Sequence, residues 1–212
     1  MNRELIDLII SRRSVRSFKP DMPPQEVIDE IISAGTYAAS GKNTQSPIII
    51  AVTNKELIAK LSKINARIMG TTNDPFYGAP VILIVLADKT QPNHVYDGSL
   101  VMGNLMLAAH ALDLGSCWIN RAKEEFEMQE GREILEALGI KGEYEGIGHC
   151  AVGYIKGSYP KAPARKEKWV YYSFEKNAIV EVADPQNSLD WDIAFFAYYA
   201  KLNGGASGKG QA

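Results

Sequence analysis

Apolar residues fall along this chain in two rhythms, one with the helical period and one unbroken. Leu5, Leu8 and Ile9 mark one face of a first helix that runs out at a cluster of arginines. Pro23 and Pro24 precede Val27, Ile28, Ile31 and Ile32, a stripe at i, i+1, i+4 and i+5 with proline at the helix start. This second helix is expected to stop near Gly35. Residues 47–53 (PIIIAVT) and 81–87 (VILIVLA) are continuous, β-branched apolar runs, the pattern of strands covered on both faces. Between them Asn54 caps a helix carrying Leu57, Ile58, Leu61 and Ile64, and residues 68–78 read as a loop.

An apolar helix is expected from about Asp97 to Leu112, ended by a corner at Gly115-Ser116-Cys117-Trp118. An amphipathic helix follows over about 124–138, with Gly139 as the residue just past its end. Gly146–Gly153 reads as a third strand and Trp169–Phe174 as a fourth. Helices outnumber strands and do not alternate with them regularly, which favours the α+β class over a doubly wound α/β fold. Residues 188–200 carry Trp191, Phe195, Phe196, Tyr198 and Tyr199, so that segment is read as a helix buried on its own domain or on a second subunit. Residues 204–212 are small and polar and read as a disordered tail.

Composition narrows the function classes. The 212 residues are 46% hydrophobic and 23% charged, an ordinary globular balance. A net charge of −2 gives no global field for nucleic acid or anionic lipid, so neither is expected as a partner. The apolar run Ser99–Leu114 is interrupted by Asn104 and His110 and is too short to span a bilayer. With no secretory pattern after Met1, a cytoplasmic location is expected. Cys117 and Cys150 lack a CxxC spacing and read as buried thiols, and His94, His110 and His149 lack metal-ligand spacing, so no metal site is expected.

Two segments carry candidate chemistry. Residues 11–18 (SRRSVRSF) pack Arg12, Arg13 and Arg16 with serine hydroxyls into one short stretch. Forked, permanently charged guanidinium groups suit a phosphate dianion, although a solvated helix end has the same composition. Residues 38–47 (AASGKNTQSP) place Asn43 and Gln45 in a loop where Ser40 and Gly41 let backbone approach a ligand. A plain polar turn is the alternative there.

The order of these segments resembles the nitroreductase family of FMN-dependent oxidoreductases. The resemblance rests on RRSxRxF, on the AxSxxNxQ loop before an apolar strand, and on Asn104–Ala109 (NLMLAA). It continues in Leu114–Ile119 (LGSCWI) and Val152-Gly153-Tyr154. It implies one FMN-binding domain over 1–203, with a central, mostly antiparallel sheet flanked by helices, in an intertwined homodimer. Arg12, Ser14 and Arg16 match the residues that hold the flavin phosphate and its ribityl or N1 side, with Arg13 beside them. Ala39, Ser40, Gly41, Asn43 and Gln45 match the loop that reaches the isoalloxazine, often from the other subunit. Trp118, Ile119, Asn120 and Arg121 match the stretch against the flavin, and Arg165 and Lys166 the late basic pair that closes on the phosphate.

The implied activity is hydride transfer from NADH or NADPH to FMN, then reduction of nitroaromatics, quinones or a similar small electrophile by a ping-pong mechanism. FMN carries that chemistry, so no catalytic side chain is required. Relatives with other flavin chemistry (dehalogenation, flavin destruction, ring oxidation) and a non-catalytic FMN-binding sensor remain alternatives. The chain departs from the family at Asn120-Arg121-Ala122, where glycines are usual. Arg121 reads either as a cation for an anionic acceptor or the NAD(P)H phosphates, or as a salt-bridge partner of Glu124 or Glu125.

Overall fold

The computed structural model describes residues 3–173 and 179–181. The chain divides into two compact units, Met1–Lys161 and Ala162–Ala212. This division crosses the single domain expected over 1–203. The first unit is built on a four-stranded sheet. Its strands are β1 (Pro47–Val52), β2 (Val81–Asp88), β3 (Gly115–Ile119) and β4 (Tyr144–Gly153), in the order β1-β2-β4-β3. All three pairings are antiparallel.

The apolar run of β2 is explained by burial on both faces, every residue from Val81 to Ala87 having no solvent exposure. Side chains of a strand alternate between faces. Ile82, Ile84 and Leu86 accordingly enter one core with Leu61, Phe126 and Ile134, while Val81, Leu83 and Val85 enter another with Ile28, Ile31, Met102 and Leu105. The second core is closed by α2 (Gln25–Thr36) and α4 (His94–Ala111). The first is closed by α3 (Lys55–Met69), α5 (Ala122–Glu127) and α6 (Gln129–Ala137). Asn104 fixes α4 to α2, its side-chain N–H donating to the Ala34 carbonyl at 3.0 Å. Gly35 permits that approach, since a Cβ there would meet Leu105 Cδ2 at 2.6 Å.

Expected boundaries at α2, α3, β1, β2 and β4 agree with the structure to within a few residues. Asn54 caps α3 by accepting from the Leu57 N–H at 2.8 Å, and Gly139 has the left-handed φ of 70° that ends α6. Three expectations are corrected. The corner at 115–118 is strand β3, because β4 supplies a hydrogen-bonding edge to an otherwise turn-like composition. The single helix over 124–138 is two, α5 and α6, broken where Met128 takes an extended ψ of 161°. The fourth strand does not join the sheet; β5 (Tyr171–Ser173) pairs antiparallel with β6 (Ile179–Glu181) in the second unit. Residues 188–200 and the 204–212 tail lie outside the described residues.

Helix α1 (Arg3–Ser11) has no buried residue, and its apolar Leu5, Ile6, Ile9 and Ile10 are each 46–59% exposed. Of the stripe that predicts this helix, Leu8 is half-buried, while Leu5 and Ile9 stand exposed among the described residues.

The loop between α2 and β1 is held from below. Asp97 of α4 is 2% exposed and accepts from the Gly41 N–H at 2.8 Å, the Ser46 hydroxyl at 3.1 Å and the Thr44 hydroxyl at 3.4 Å. Ser40 Oγ accepts from the Gln45 N–H at 3.1 Å. These bonds sustain left-handed φ values at Lys42 (54°), Asn43 (55°) and Gln45 (49°). Each such non-glycine residue costs roughly 1–2 kcal/mol. Asp97→Ala is expected to speed amide exchange at Gly41 and to lower stability in urea by about 1–3 kcal/mol. Unchanged exchange at Gly41 would remove Asp97 from this role. Leu105→Ala, a cavity in the second core, is expected to cost about 2–5 kcal/mol in the same measurement while leaving Gly41 exchange to track only the global change.

Candidate functional site

The arginine segment is pinned to the outer edge of β3. Ser14 forms a parallel bridge with Ser116, and the Val15 N–H donates to the Ser116 carbonyl at 2.9 Å. Val15 and Phe18 are buried in the first core. In extended backbone the burial of Val15 turns its neighbours Ser14 and Arg16 the other way. Arg12 has a buried Nη1 with no hydrogen-bond acceptor, and so has Arg13 at Nε. The Arg13 Nη1 is instead engaged by α1, donating to the Ile10 carbonyl at 2.6 Å and the Arg12 carbonyl at 2.8 Å.

The segment is braced by an aromatic contact. The Arg13 N–H donates to the Tyr159 hydroxyl at 2.7 Å, and that hydroxyl donates to the Ser11 carbonyl at 3.2 Å. Tyr159 stacks on His110, whose Nε2 lies 2.8 Å from the Ser11 hydroxyl. Burial holds His110 below the usual imidazole range, and the positive charge of Arg12 adds to the effect. Burial also pushes the Cys117 thiol up, against the opposing influence of Arg16, Ser14 and Arg12. Cys117 is the middle residue of β3, one position beyond the Ser14–Ser116 bridge.

A cleft of about 330 Å³ opens there, lined by Arg16, by Cys117–Arg121 and by residues of the 69–77 segment, among them Met69, Pro75 and Tyr77. Arg16, Trp118, Ile119, Asn120 and Arg121 therefore line one cleft. Arg121 takes a left-handed φ of 77° at the start of α5. Its Nε–H donates to Asn65 Oδ1 at 2.9 Å, and the other end of the Asn65 amide donates to the Asn120 carbonyl at 3.0 Å. The salt bridge to Glu124 or Glu125, one of the two readings of Arg121, is not formed. Glu124 is exposed, and Glu125 is turned into the core, where its Oε2 lies 2.9 Å from His149 Nε2 with both residues fully buried.

Ala39, Ser40 and Gln45 line a second cleft of about 330 Å³ beside Pro47–Ile49. Gln45 Nε2 donates to Asn43 Oδ1 at 3.1 Å, while Gly41 is tied to Asp97. The loop thus lines a different cleft from Arg16. Arg165 and Lys166 belong to the second unit, where Lys166 Nζ sits 4.9 Å from the Trp169 ring centre. Two further residues emerge that sequence reasoning passes over, Asp97 and Asn65. Their signal is a lone polar residue in an apolar helix stripe, which takes on meaning only when the neighbouring loop is known. Among the described residues no cluster of His, Cys, Asp and Glu could hold a metal ion, and no helix is long and apolar enough to cross a membrane.

Comparison with known proteins agrees with this geometry. The nitroreductase family model matches residues 9–73 and 67–154, and the HmuY protein model matches residues 165–212. A Methanothermobacter thermautotrophicus protein named for NADH dehydrogenase or NAD(P)H nitroreductase is 30% identical over 124 residues, which cover 54% of this chain and 60% of the relative. The chain thus spans less than two thirds of that relative's length. An iodotyrosine deiodinase from Thermotoga neapolitana is 26% identical over 189 residues, 80% of this chain and 97% of the relative. A Bacteroides fragilis nitroreductase solved with bound FMN superposes with a TM-score of 0.73 at 29% identity, covering 79% of this chain and 97% of that one. The antiparallel sheet clad by helices is the nitroreductase fold, and the chain belongs to the nitroreductase family.

Proposed function

We propose that this protein is an FMN-dependent oxidoreductase that takes hydride from NADH or NADPH and reduces a small electrophile such as a nitroaromatic or a quinone. The observation that carries the reading is the pair of buried guanidinium nitrogens without acceptors, Arg12 Nη1 and Arg13 Nε, beside Ser14 and Arg16. Buried donors in proteins are almost always satisfied, and for cationic ones the missing partner is an anion. A flavin phosphate supplies such an anion, so the residues present fit FMN. Arg12 and Ser14 would hold the phosphate, and Arg16 would stand toward the flavin N1 side. When bound, FMN supplies the hydride chemistry. Trp118, Ile119, Asn120 and Arg121 wall the cleft and limit how the acceptor enters it.

The homodimer belongs to the same proposal. Strand order puts β1 and β3 at opposite edges of the sheet, three strand spacings or about 14 Å apart. The loop from Ala39 to Gln45 precedes β1 while the arginine segment lies outside β3, so a second copy is the way to bring both to one flavin. The exposed apolar face of α1 supports burial against such a copy. Arg165 and Lys166 remain candidates for the phosphate, and a cytoplasmic setting agrees with the reducing chemistry.

A second reading is reductive dehalogenation of an aromatic substrate, supported by the iodotyrosine deiodinase that aligns over 80% of this chain. Heat-released cofactor from purified protein is expected to be FMN. Arg12→Ala and Arg16→Ala are each expected to weaken FMN binding more than tenfold, the loss of a charge-assisted contact of about 1.5–3 kcal/mol. Full flavin occupancy with unchanged dissociation constants in both variants would make the cluster a solvated helix end. NAD(P)H oxidation with menadione or a nitrofuran is expected to give parallel double-reciprocal lines, as one open face alternates between the nicotinamide and the acceptor. Turnover of a halogenated phenol with neither of those acceptors would favour the second reading, and no NAD(P)H oxidation with any of them would favour a sensor.

A further inference from the structure

The cofactor reading uses Arg121 only as part of the cleft wall and gives its guanidinium no partner of its own. Its backbone is in the left-handed region, a conformation that costs a non-glycine residue roughly 1–2 kcal/mol. Asn65, with no solvent exposure, is bound to both Asn120 and Arg121 and so fixes the backbone and the Nε together. With Nε committed, the terminal Nη groups are the ones left to meet a ligand, in a fork that matches a carboxylate.

The nearby acids do not neutralise this cation. Glu125 is spent on His149, and Glu124 forms no ion pair with Arg121. Asp74 lines the same cleft, but its carboxylate is occupied, accepting from the Ser62 hydroxyl at 2.6 Å and from the N–H groups of Phe76 at 2.9 Å and Gly78 at 2.7 Å. The cleft also presents apolar or aromatic surface at Met69, Pro75, Tyr77 and Trp118, with the uncharged polar Thr71, Asn73 and Asn120. Arg16 is the other cation of the cleft, but it belongs to the segment bridged to β3 at Ser14 and Ser116, whereas Arg121 is tied to α3.

We infer that Arg121, positioned by Asn65, recognises an anionic group on the electron acceptor, so that the preferred substrate is a flat aromatic electrophile bearing a carboxylate or phenolate. This rests on the reading of the cleft as the reductive site. The aromatic ring would lie along the Met69–Tyr77 wall and the anion would meet the guanidinium fork. Asn65 acts through Arg121, by holding it, and touches no substrate.

The experiment compares 4-nitrobenzoate with 4-nitrobenzyl alcohol on the purified, flavin-loaded full chain. Direct binding is read by calorimetry and reduction by NADPH oxidation. The native protein is expected to bind the benzoate about tenfold or more tightly than the alcohol, the size of one charge-assisted contact. Arg121→Ala is expected to erase that preference in binding and in the ratio of kcat/KM values, with Arg121→Lys retaining part of it. Asn65→Ala is expected to lower the ratio with Arg121 still present. Equal affinity for the two compounds, or a preference that survives in Arg121→Ala, would overturn the inference. Binding preference without turnover of either compound would keep Arg121 as an anion site and sink the reductase reading instead.

Discussion

Burial of β2 on both faces is the constraint from which the rest of the molecule follows. A strand with no exposed residue from Val81 to Ala87 must have neighbours on both edges and helices on both faces. The edges are taken by β1 and β4, and the faces by α2 and α4 on one side and α3, α5 and α6 on the other. Ligand groups have no room inside such a sandwich. They collect at its rims, at β3 with the arginine segment beyond it and at the loop that enters β1. The separation of the two candidate clefts is therefore a consequence of strand order, and the proposed pairing of two copies answers to the same geometry.

Much of this frame was legible in the chain because the physics is local. β-branched runs without polar interruption gave β1 and β2, and the Asn54 cap and left-handed Gly139 gave helix ends. What stayed hidden depends on partners far away in sequence. Gly115-Ser116-Cys117-Trp118 has the composition of a turn and becomes a strand only because β4 offers it an edge. The break at Met128 falls among strong helix formers; it lets α5 turn its Phe126 and α6 its Ile134 toward one core, a demand no propensity encodes.

The site was legible to a similar degree. Arg16 and the Trp118–Arg121 stretch line one cleft, and Ser14 is bridged to the same strand at Ser116. Arg13 is less available than its position suggests, since its Nη1 closes the end of α1. The polar residues that hold the site, Asp97 and Asn65, gave no warning in sequence. Each is a lone polar side chain among apolar neighbours on a helix, and its role exists only through a loop that folds back onto it.

Strain shows where those two residues act. Of the non-glycine residues with left-handed φ, Lys42, Asn43 and Gln45 lie in the loop at one cleft, and Tyr77 and Arg121 line the other. Such conformations persist only where surrounding bonds over-determine them. Asp97 accepts three hydrogen bonds from Gly41, Thr44 and Ser46 of the first loop, and Asn65 binds both the carbonyl of the peptide that leads into Arg121 and the Arg121 side chain. A helix stripe that spent those positions on leucine would pack as well or better and would leave both loops to relax. The fold thus gives up apolar burial at Asp97 and Asn65 to hold the backbone of the two candidate clefts, through Gly41, Thr44 and Ser46 at one and Asn120 and Arg121 at the other.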